Sequence, residues 1–222
     1  MKIAVCYRGH FRRTYVAEKN VRYNVDFFKN LNNHKEKLLN NLDDVDIFFH
    51  TYESDKKEEN KKLLDVLNPT NHVIEKIKGT KISDSIFAVN KLVDPTKYDF
   101  VFNIRFDLIF LKDFKDWNIQ FSKFNFLFKD HPRPWERDKK TSDLMFAFDS
   151  KFHKSFQKSI SSKEIRKDKM GSAHFIYNGL LENDMTDDDM HFLVDGHHTS
   201  YVKYKEFKGG FVSLNRGFHT DL

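Results

Sequence analysis

The sequence of 222 residues has little of what marks membrane-spanning, disulfide-stapled or linker-joined proteins. Its single cysteine, Cys6, excludes an intramolecular disulfide framework and suits a reducing compartment. No apolar run approaches the roughly 20 residues that cross a bilayer, and the opening MKIAVCYRGH reaches charged residues too soon for a signal peptide. Eight glycines and four prolines are too few to mark a domain boundary. These absences predict one cytoplasmic domain over residues 1–222, without a transmembrane segment.

Several motifs of common enzyme classes are also missing. No GxxxxGK(S/T) or GxGxxG pattern follows a predicted strand, so P-loop and Rossmann dinucleotide sites lose their main support. The chain has no GxSxG elbow and no HExxH pattern. It has no CxxC pair either, which excludes a zinc ribbon.

The charge balance is mildly basic. Lys and Arg number 38 against 33 Asp and Glu, which gives a formal net charge of +5. The basic residues are spread among acids and do not form one stripe. The charge therefore permits anionic partners, but it does not indicate nucleic acid.

Short apolar runs alternate with helix-like segments through the first half of the chain. Predicted strands cover residues 2–6, 45–50, 72–77 and 98–104, and predicted helices cover 15–42, 55–67 and a segment capped by Ser83 and ended by Asp94-Pro95. This alternation predicts an α/β fold with a mostly parallel sheet flanked by helices. The second half predicts a less regular α+β arrangement, with strands at 124–128 and 143–149, mostly helix over 150–194 and a hairpin over 199–214.

The loop after the first predicted strand, Tyr7-Arg8-Gly9-His10-Phe11-Arg12-Arg13, is the first candidate site. Ligands of open α/β sheets lie beyond the carboxyl ends of the strands. Gly9 allows a sharp turn and a close approach to a ligand, and Arg8, Arg12 and Arg13 are suited to hold a diphosphate by charge-assisted bonds. The alternative is a solvated basic turn.

The end of the fourth predicted strand is the second candidate site. Because side chains alternate along a strand, Asn103, Arg105 and Asp107 share one face. An unpaired charge buried inside a strand is costly, so we expect Arg105 and Asp107 at the open end of the sheet. There Asp107 is suited to ligate a hard divalent cation together with diphosphate oxygens. The alternative is an internal Arg105–Asp107 salt bridge that only stabilises the edge.

The third candidate is a C-terminal group of acids and histidines. A helix over 187–194 would place Asp187 and His191 on one face, and aspartate and histidine both suit a divalent metal. Asp188, His191, His197 and His198 together support the alternative of a metal-dependent hydrolase. The competing interpretation is a plain helix start, in which acids after Thr186 favour the N-terminal dipole end.

Two further groups are candidates for an acceptor site. His174 and Asn178 are spaced by four residues in a helix-like segment, where they suit either an acceptor site or the rim of the core. Trp135 follows a Pro- and Arg-containing loop at 131–134. Its ring is suited either to stack on a sugar or to pin the loop to the core.

Five segments together resemble small GT-A-type glycosyltransferases of the kind found in capsule loci and large DNA viruses. They are KIAVCYRGHFRRT, DIFFHTYES, Asn68-Pro69, the Ser83 helix and YDFVFNIRFDLIF. The resemblance covers about residues 1–111; DLMFAFDS at 143–150 extends it, and residues 151–222 match loosely. It implies a GT-A-like fold with a nucleotide-sugar-binding half at about 1–111 and an acceptor half at about 112–222.

The resemblance also implies roles for individual residues. Asp107 becomes the metal and diphosphate residue of a DxD-like motif whose first acid is replaced by Arg105. It makes Mn²⁺ or Mg²⁺ the expected cofactor, with His191, His197 or His198 as late ligands. Gly9 and Arg12 match the strand-one loop, and Thr51 and Tyr52 match the strand-two exit, where base and ribose are expected.

The implied activity is transfer of a sugar from a UDP- or GDP-linked donor to a hydroxyl of a glycan or glycoprotein. Asp143 matches the acceptor-side acid and is the first candidate for the base that takes the acceptor proton; Asp188 and Asp189 follow it. The alternatives are the metal-dependent hydrolase and a non-enzymatic polyanion binder.

Overall fold

The computed structural model describes residues 1–16, 22–54, 56–76, 82–129, 135–161, 165, 173–194, 212–214 and 217–218. The strands are β1 (Lys2–Arg8), β2 (Arg12–Val16), β3 (Arg22–Asp26), β4 (Asp44–Tyr52), β5 (Asn71–Glu75), β6 (Phe100–Arg105), β7 (Leu108–Phe110), β8 (Phe124–Phe126), β9 (Met145–Asp149), β10 (Met190–Phe192), β11 (Val212–Leu214) and β12 (Gly217–Phe218). The α-helices are α1 (Phe27–Lys37), α2 (Lys57–Leu67), α3 (Ile82–Asn90), α4 (Trp135–Asp138), α5 (His153–Ile160) and α6 (Ile176–Leu181). Within these ranges no helix has the length and apolar character to span a bilayer.

A seven-stranded sheet forms the centre of the molecule, in the order β10-β8-β9-β6-β1-β4-β5. Strand β1 pairs in parallel with both β4 and β6, and β4 pairs in parallel with β5. Strand β9 is antiparallel to both of its neighbours, β6 and β8, while β8 and β10 are parallel. The predicted α/β fold class, a mostly parallel central sheet flanked by helices, is thus confirmed.

Two apolar cores cover the two faces of this sheet. Ile3, Val5 and Tyr7 of β1 pack toward α1 and α2 on one face, while Ala4 and Cys6 pack toward α3, α5 and α6 on the other. Because both faces are covered, β1 is apolar at nearly every position and does not alternate. After the buried residues Ile3 to Tyr7, the first polar side chain is Arg8, at the carboxyl end of β1.

The helix predicted over 15–42 is wrong in its first part, since α1 begins at Phe27. Strands β2 and β3 precede it and pair antiparallel, and β12 pairs with the other edge of β3. The β-branched and aromatic residues of RRTYV and RYNVD favour extended chain. The predicted cap, Ser83, is instead a buried residue inside α3.

The helix predicted over 187–194 is also wrong. Asp187–Asp189 form a single 3₁₀ turn, called the acidic turn below, and β10 follows directly. Thr186 and Asp189 cap this turn reciprocally, as the predicted helix start requires. The turn ends at Met190, where the backbone is extended because β10 pairs with β8. Of the predicted 199–214 hairpin, residues 199–211 lie outside the described chain, and β11 pairs with β7.

Candidate functional site

Three neighbouring strands end side by side at the carboxyl edge of the sheet. The register pairs Arg8 of β1 with Arg105 of β6 on one side and with His50 of β4 on the other. Residues paired in register point to the same face. The two arginines and the histidine therefore form one row on the α3-facing side, above Cys6 and Asn103.

Arg8 is a buried cation at the centre of this row, with 2% of its surface exposed. Its Nε donates to Asn103 Oδ1 at 2.5 Å, and its Nη2 donates to the carbonyl oxygen of Asp143. The guanidinium also lies 5.6 Å from the ring centroid of Phe146. Burial, followed by repulsion from Arg105, lowers the pKa of Arg8 to about 9 against the attraction of Asp143. Arg8 thus stays charged at neutral pH.

Arg105 bridges two carboxylates beside Arg8. Its Nε and Nη2 donate to the two carboxylate oxygens of Asp107 at 2.8 and 2.6 Å, and its Nη1 lies 3.4 Å from Asp143 Oδ2. The ion pair considered from the sequence is therefore present. We call the four charged residues Arg8, Arg105, Asp107 and Asp143 the edge cluster. Two guanidinium groups this close are tolerated because two acids compensate them.

Gly9 turns the chain just beyond the edge cluster. Its φ of 88° lies in the left-handed region that favours glycine. Its N–H donates to Ser85 Oγ at 2.9 Å, and its carbonyl accepts from Thr51 Oγ1 at 2.8 Å. A Cβ placed on Gly9 would meet no atom of the described chain within 4 Å. Gly9 is thus held by hydrogen bonds at both its N–H and its carbonyl, and no atom of the described chain crowds its α-carbon.

His50 and Ser85 support this turn, and sequence reasoning did not select either as a site residue. His50 Nδ1 lies 2.9 Å from Ser85 Oγ, and its Nε2 lies 3.5 Å from Glu75 Oε2. Burial lowers the pKa of His50, against the attraction of Glu75. Ser85 Oγ thus forms hydrogen bonds with both His50 Nδ1 and the Gly9 N–H. The available signal was the position of His50, directly before Thr51 at the end of a strand.

The other predicted donor-binding residues, Tyr52, Arg12 and Arg13, differ in the contacts that they make. The ring of Tyr52 packs against that of His10 with centroids 4.6 Å apart. Arg12 pairs with Asp26, and its Nε is 3.4 Å from Glu59 Oε1. The backbone of Arg13 belongs to β2, and its side chain lies outside the described atoms. Arg8, Arg12 and Arg105 are each paired with acids or carbonyls.

The structure does not bring the acidic turn or His191 to the edge cluster. Strand β10 runs in the same direction as β6, and the turn precedes β10. Asp188 and Asp189 therefore lie at the amino edge of the sheet, opposite Asp143. His191 Nε2 lies 2.8 Å from the carbonyl oxygen of Asn118. His197 and His198 lie outside the described residues. The other two residues of the alternative hydrolase site, Asp188 and His191, do not belong to any group of three potential metal ligands in the described chain.

The three candidate acceptor residues, Trp135, His174 and Asn178, lie near or within α4 and α6, and the first two make contacts inside the protein. Trp135 packs edge-on against Tyr177 and Phe192, with centroids 4.9 and 5.3 Å away. Its ring therefore holds α4 to the core. His174 Nδ1 lies 2.7 Å from the carbonyl of Thr141, and Asn178 belongs to α6.

The arrangement around Asp107 does not fit the divalent cation that the resemblance implies. Both carboxylate oxygens of Asp107 are bound by one guanidinium, so a metal there would have to displace Arg105. In the part of the chain that the structure describes, no three His, Cys, Asp or Glu side chains are grouped so as to hold a metal ion. Metal ligation by Asp107 therefore stays a prediction without geometric support.

Comparisons with known proteins found distantly similar solved structures. No protein-family model matches the sequence, and no curated protein matches it significantly. Similar solved structures include a nucleoside-diphosphate-sugar pyrophosphorylase from Vibrio cholerae RC9, with 11% identity, a TM-score of 0.49 and coverage of 89% of this chain and 93% of that chain. The apo glycosyltransferase GlyE of Streptococcus pneumoniae TIGR4 has 10% identity, a TM-score of 0.47 and coverage of 96% and 54%.

A third similar structure is the CTP:phosphocholine cytidylyltransferase LicC of Streptococcus pneumoniae, with 10% identity, a TM-score of 0.48 and coverage of 89% and 90%. The chain thus spans most of two of these proteins and about half of GlyE. At this identity and these TM-scores the likenesses do not decide an activity.

Proposed function

We propose that this protein is a glycosyltransferase that moves a sugar from a UDP- or GDP-linked donor to a hydroxyl of a glycan or glycoprotein. The observation that carries the proposal is the edge cluster, which sits at the carboxyl ends of parallel strands beside Gly9. This edge is where open α/β sheets bind ligands. The motif resemblance of residues 1–111 supports the same activity.

The donor would lie across the carboxyl edge, with its nucleoside near Gly9, Thr51 and Tyr52. The open α-carbon of Gly9 allows close approach to its backbone. The diphosphate would lie against Arg105, with Arg8 behind it. Negative charge grows on the diphosphate as the glycosidic bond breaks, and prearranged cations stabilise that charge best in a site that excludes water. In this proposal residues 112–222 hold the acceptor.

Asp143 is the proposed base. In an inverting displacement the acceptor oxygen forms a bond to the anomeric carbon, the carbon–oxygen bond to the diphosphate breaks, and the electron pair leaves with the diphosphate. The acceptor proton passes to the Asp143 carboxylate. Arg105 Nη1, 3.4 Å from Asp143 Oδ2, holds this carboxylate at the edge. Arg105 would then position both the base, Asp143, and the departing diphosphate.

A ligand screen tests the donor. Purified protein is heated with UDP- and GDP-sugars, with nucleoside monophosphates and free sugars as controls. A donor at 100 times its Kd stabilises the native state by about 2.7 kcal/mol, which corresponds to a rise in Tm of about 5–10 °C for a chain of this size. We expect one nucleotide base to give this rise.

Turnover then tests the reaction. The selected donor is incubated with candidate glycan acceptors, and release of UDP or GDP is measured with and without acceptor. We expect acceptor-dependent release. Absence of stabilisation by every nucleoside diphosphate sugar, together with a tightly bound metal in the purified protein, would instead favour the hydrolase alternative.

A further inference from the structure

Arg105 is the most exposed charged side chain of the edge cluster, and the two acids lie deeper. The side chain of Arg105 is 15% exposed, against 6% for Asp107 and 9% for Asp143. A ligand that approaches this edge from solvent therefore finds more of the Arg105 side chain accessible than of either aspartate. Such a surface suits an anion better than a cation.

The guanidinium occupies the position between two carboxylates that a bridging cation would take. Asp107 binds it through both oxygens, and Asp143 lies against its third nitrogen. Arg8 adds a second fixed positive charge in the neighbouring register position. A divalent ion placed between the two acids would meet two guanidinium groups, so like-charge repulsion opposes its binding.

We propose that the site binds the donor diphosphate without a divalent cation, and that the Arg105 guanidinium performs the charge neutralisation that a metal performs in a DxD site. This inference rests on the proposed function. A guanidinium is planar, stays charged and pairs well with phosphate oxygens. Asp107 and Asp143 fix its plane, so its orientation is set before the diphosphate binds.

The first experiment measures nucleoside diphosphate binding. UDP and GDP are titrated by calorimetry into wild-type protein in EDTA and again in Mn²⁺. For the nucleotide that binds, we expect the Kd measured in EDTA and the Kd measured in Mn²⁺ to agree within about threefold. Arg105→Ala should weaken binding in EDTA at least tenfold, and Arg105→Lys should recover part of that loss. Binding by wild-type protein that EDTA abolishes and Mn²⁺ restores would overturn the inference.

The second experiment measures Mn²⁺ itself by electron paramagnetic resonance, without any nucleotide. Wild-type protein should bind no Mn²⁺ at the edge cluster, whereas Arg105→Ala, which uncovers two carboxylates, should bind about one ion. Lys37→Ala is the matched control, because it uncovers Asp113 at a surface ion pair of 2.9 Å. It should bind no more Mn²⁺ than wild type. A stoichiometric Mn²⁺ site in wild type that Asp107→Asn removes would contradict the inference.

Folding and function are checked separately. Circular dichroism establishes that each variant is folded, and Arg105→Gln, closer in shape, replaces Arg105→Ala if the latter unfolds. If no nucleoside diphosphate binds with or without Mn²⁺, the proposed function and the diphosphate-binding part of the inference both fail. The Mn²⁺ titration then tests only whether Arg105 keeps a divalent cation away from Asp107 and Asp143, and equal Mn²⁺ binding by wild type and Arg105→Ala would overturn that part.

Discussion

The two ends of the central sheet use aspartate in opposite ways. In the edge cluster, Asp107 and Asp143 are 5% and 6% exposed and are bound by one guanidinium. In the acidic turn, Asp187 has 66% of its side chain exposed, and Asp189 caps its own turn through Thr186. The sequence alone makes the second group look richer in charge, with three consecutive acids. Burial makes the first group the better candidate for chemistry.

The difference follows from the energetics of charge. A buried carboxylate persists only with a partner, and removing the partner leaves an uncompensated charge. An exposed carboxylate is solvated, so it is available for local hydrogen bonds such as a cap. Acids that the fold buries together with arginines are therefore more informative about function than acids that merely cluster in sequence. Three substitutions test this difference between the two ends.

The largest expected effect comes from the proposed base. Asp143→Asn keeps the shape of the side chain but removes its ability to take a proton. We expect kcat to fall by about 10²–10⁴-fold, while donor binding measured by calorimetry changes little. Asp188→Asn in the acidic turn is the matched control and should keep turnover within about twofold. An equal loss in both variants would remove the distinction between the two ends.

The second prediction concerns pH and the segment that follows Asp107. His34 is fully buried; its Nε2 donates to the carbonyl of Leu108 at 2.8 Å, and its Nδ1 lies 3.2 Å from the Tyr7 hydroxyl. Burial lowers its pKa from the ordinary 6.5 to about 4. The unfolded chain therefore binds a proton more readily, so stability is complete above pH 6.5 and declines as the pH falls toward 4. A shift of this size corresponds to about 3 kcal/mol.

Urea titrations between pH 7 and pH 4 measure this decline. In His34→Gln the fall in the free energy of unfolding over this range should be smaller by most of that amount, whatever the variant's stability at pH 7. A slope that His34→Gln leaves unchanged would show that other groups produce it.

The acidic turn responds in a different pH window. Hydrogen bonds from Thr186 lower the pKa of Asp189, and a hydrogen bond from Tyr177 lowers that of Asp187. Their stabilising effect is therefore present above the ordinary value of 3.8 and is lost as the pH falls through the lowered values. As the pH falls, the free energy of unfolding should thus decrease first in the window set by His34 and then in the lower window set by Asp187 and Asp189.

The smallest expected effect is loss of the cap. Thr186→Ala removes one half of the reciprocal cap and should lower the free energy of unfolding by about 1 kcal/mol, the usual cost of losing a capping hydroxyl. Turnover should be unchanged, because the turn lies at the amino edge. Urea denaturation and initial rates measure both quantities, and Thr186→Ser should restore the stability. A fall in turnover without a fall in stability would indicate that the amino edge participates in the reaction.

Much of the fold was predictable because its signals are local. The strand predicted at 2–6 lies within β1, and those at 45–50 and 98–104 largely coincide with β4 and β6, since each is an apolar run of β-forming residues. Prediction failed at 15–26 and 190–194, where strand pairing with distant segments decides the conformation. A periodicity of apolar residues carries no information about such partners.

The candidate site also has features that the sequence predicted and features that it did not. Alternation along the strand placed Asn103 and Arg105 on one face, and the ion pair between Arg105 and Asp107 was foreseen as one of two alternatives. The row formed with Arg8 and His50 was not foreseen, because it depends on the register between three strands. Ser85 reaches Gly9 only because α3 packs on the same face of the sheet.

The sequence by itself determined that the chain is an α/β protein and that charged residues follow the ends of its buried strands. Those features rest on apolar periodicity and on the cost of burying charge, both of which act within a few residues. Only the tertiary structure decided that Arg105 closes on Asp107 and Asp143 while the acidic turn lies at the opposite edge. Pairing of strands distant in sequence brings Asp143 within 3.4 Å of Arg105 across 38 residues of chain, and no local pattern specifies that contact.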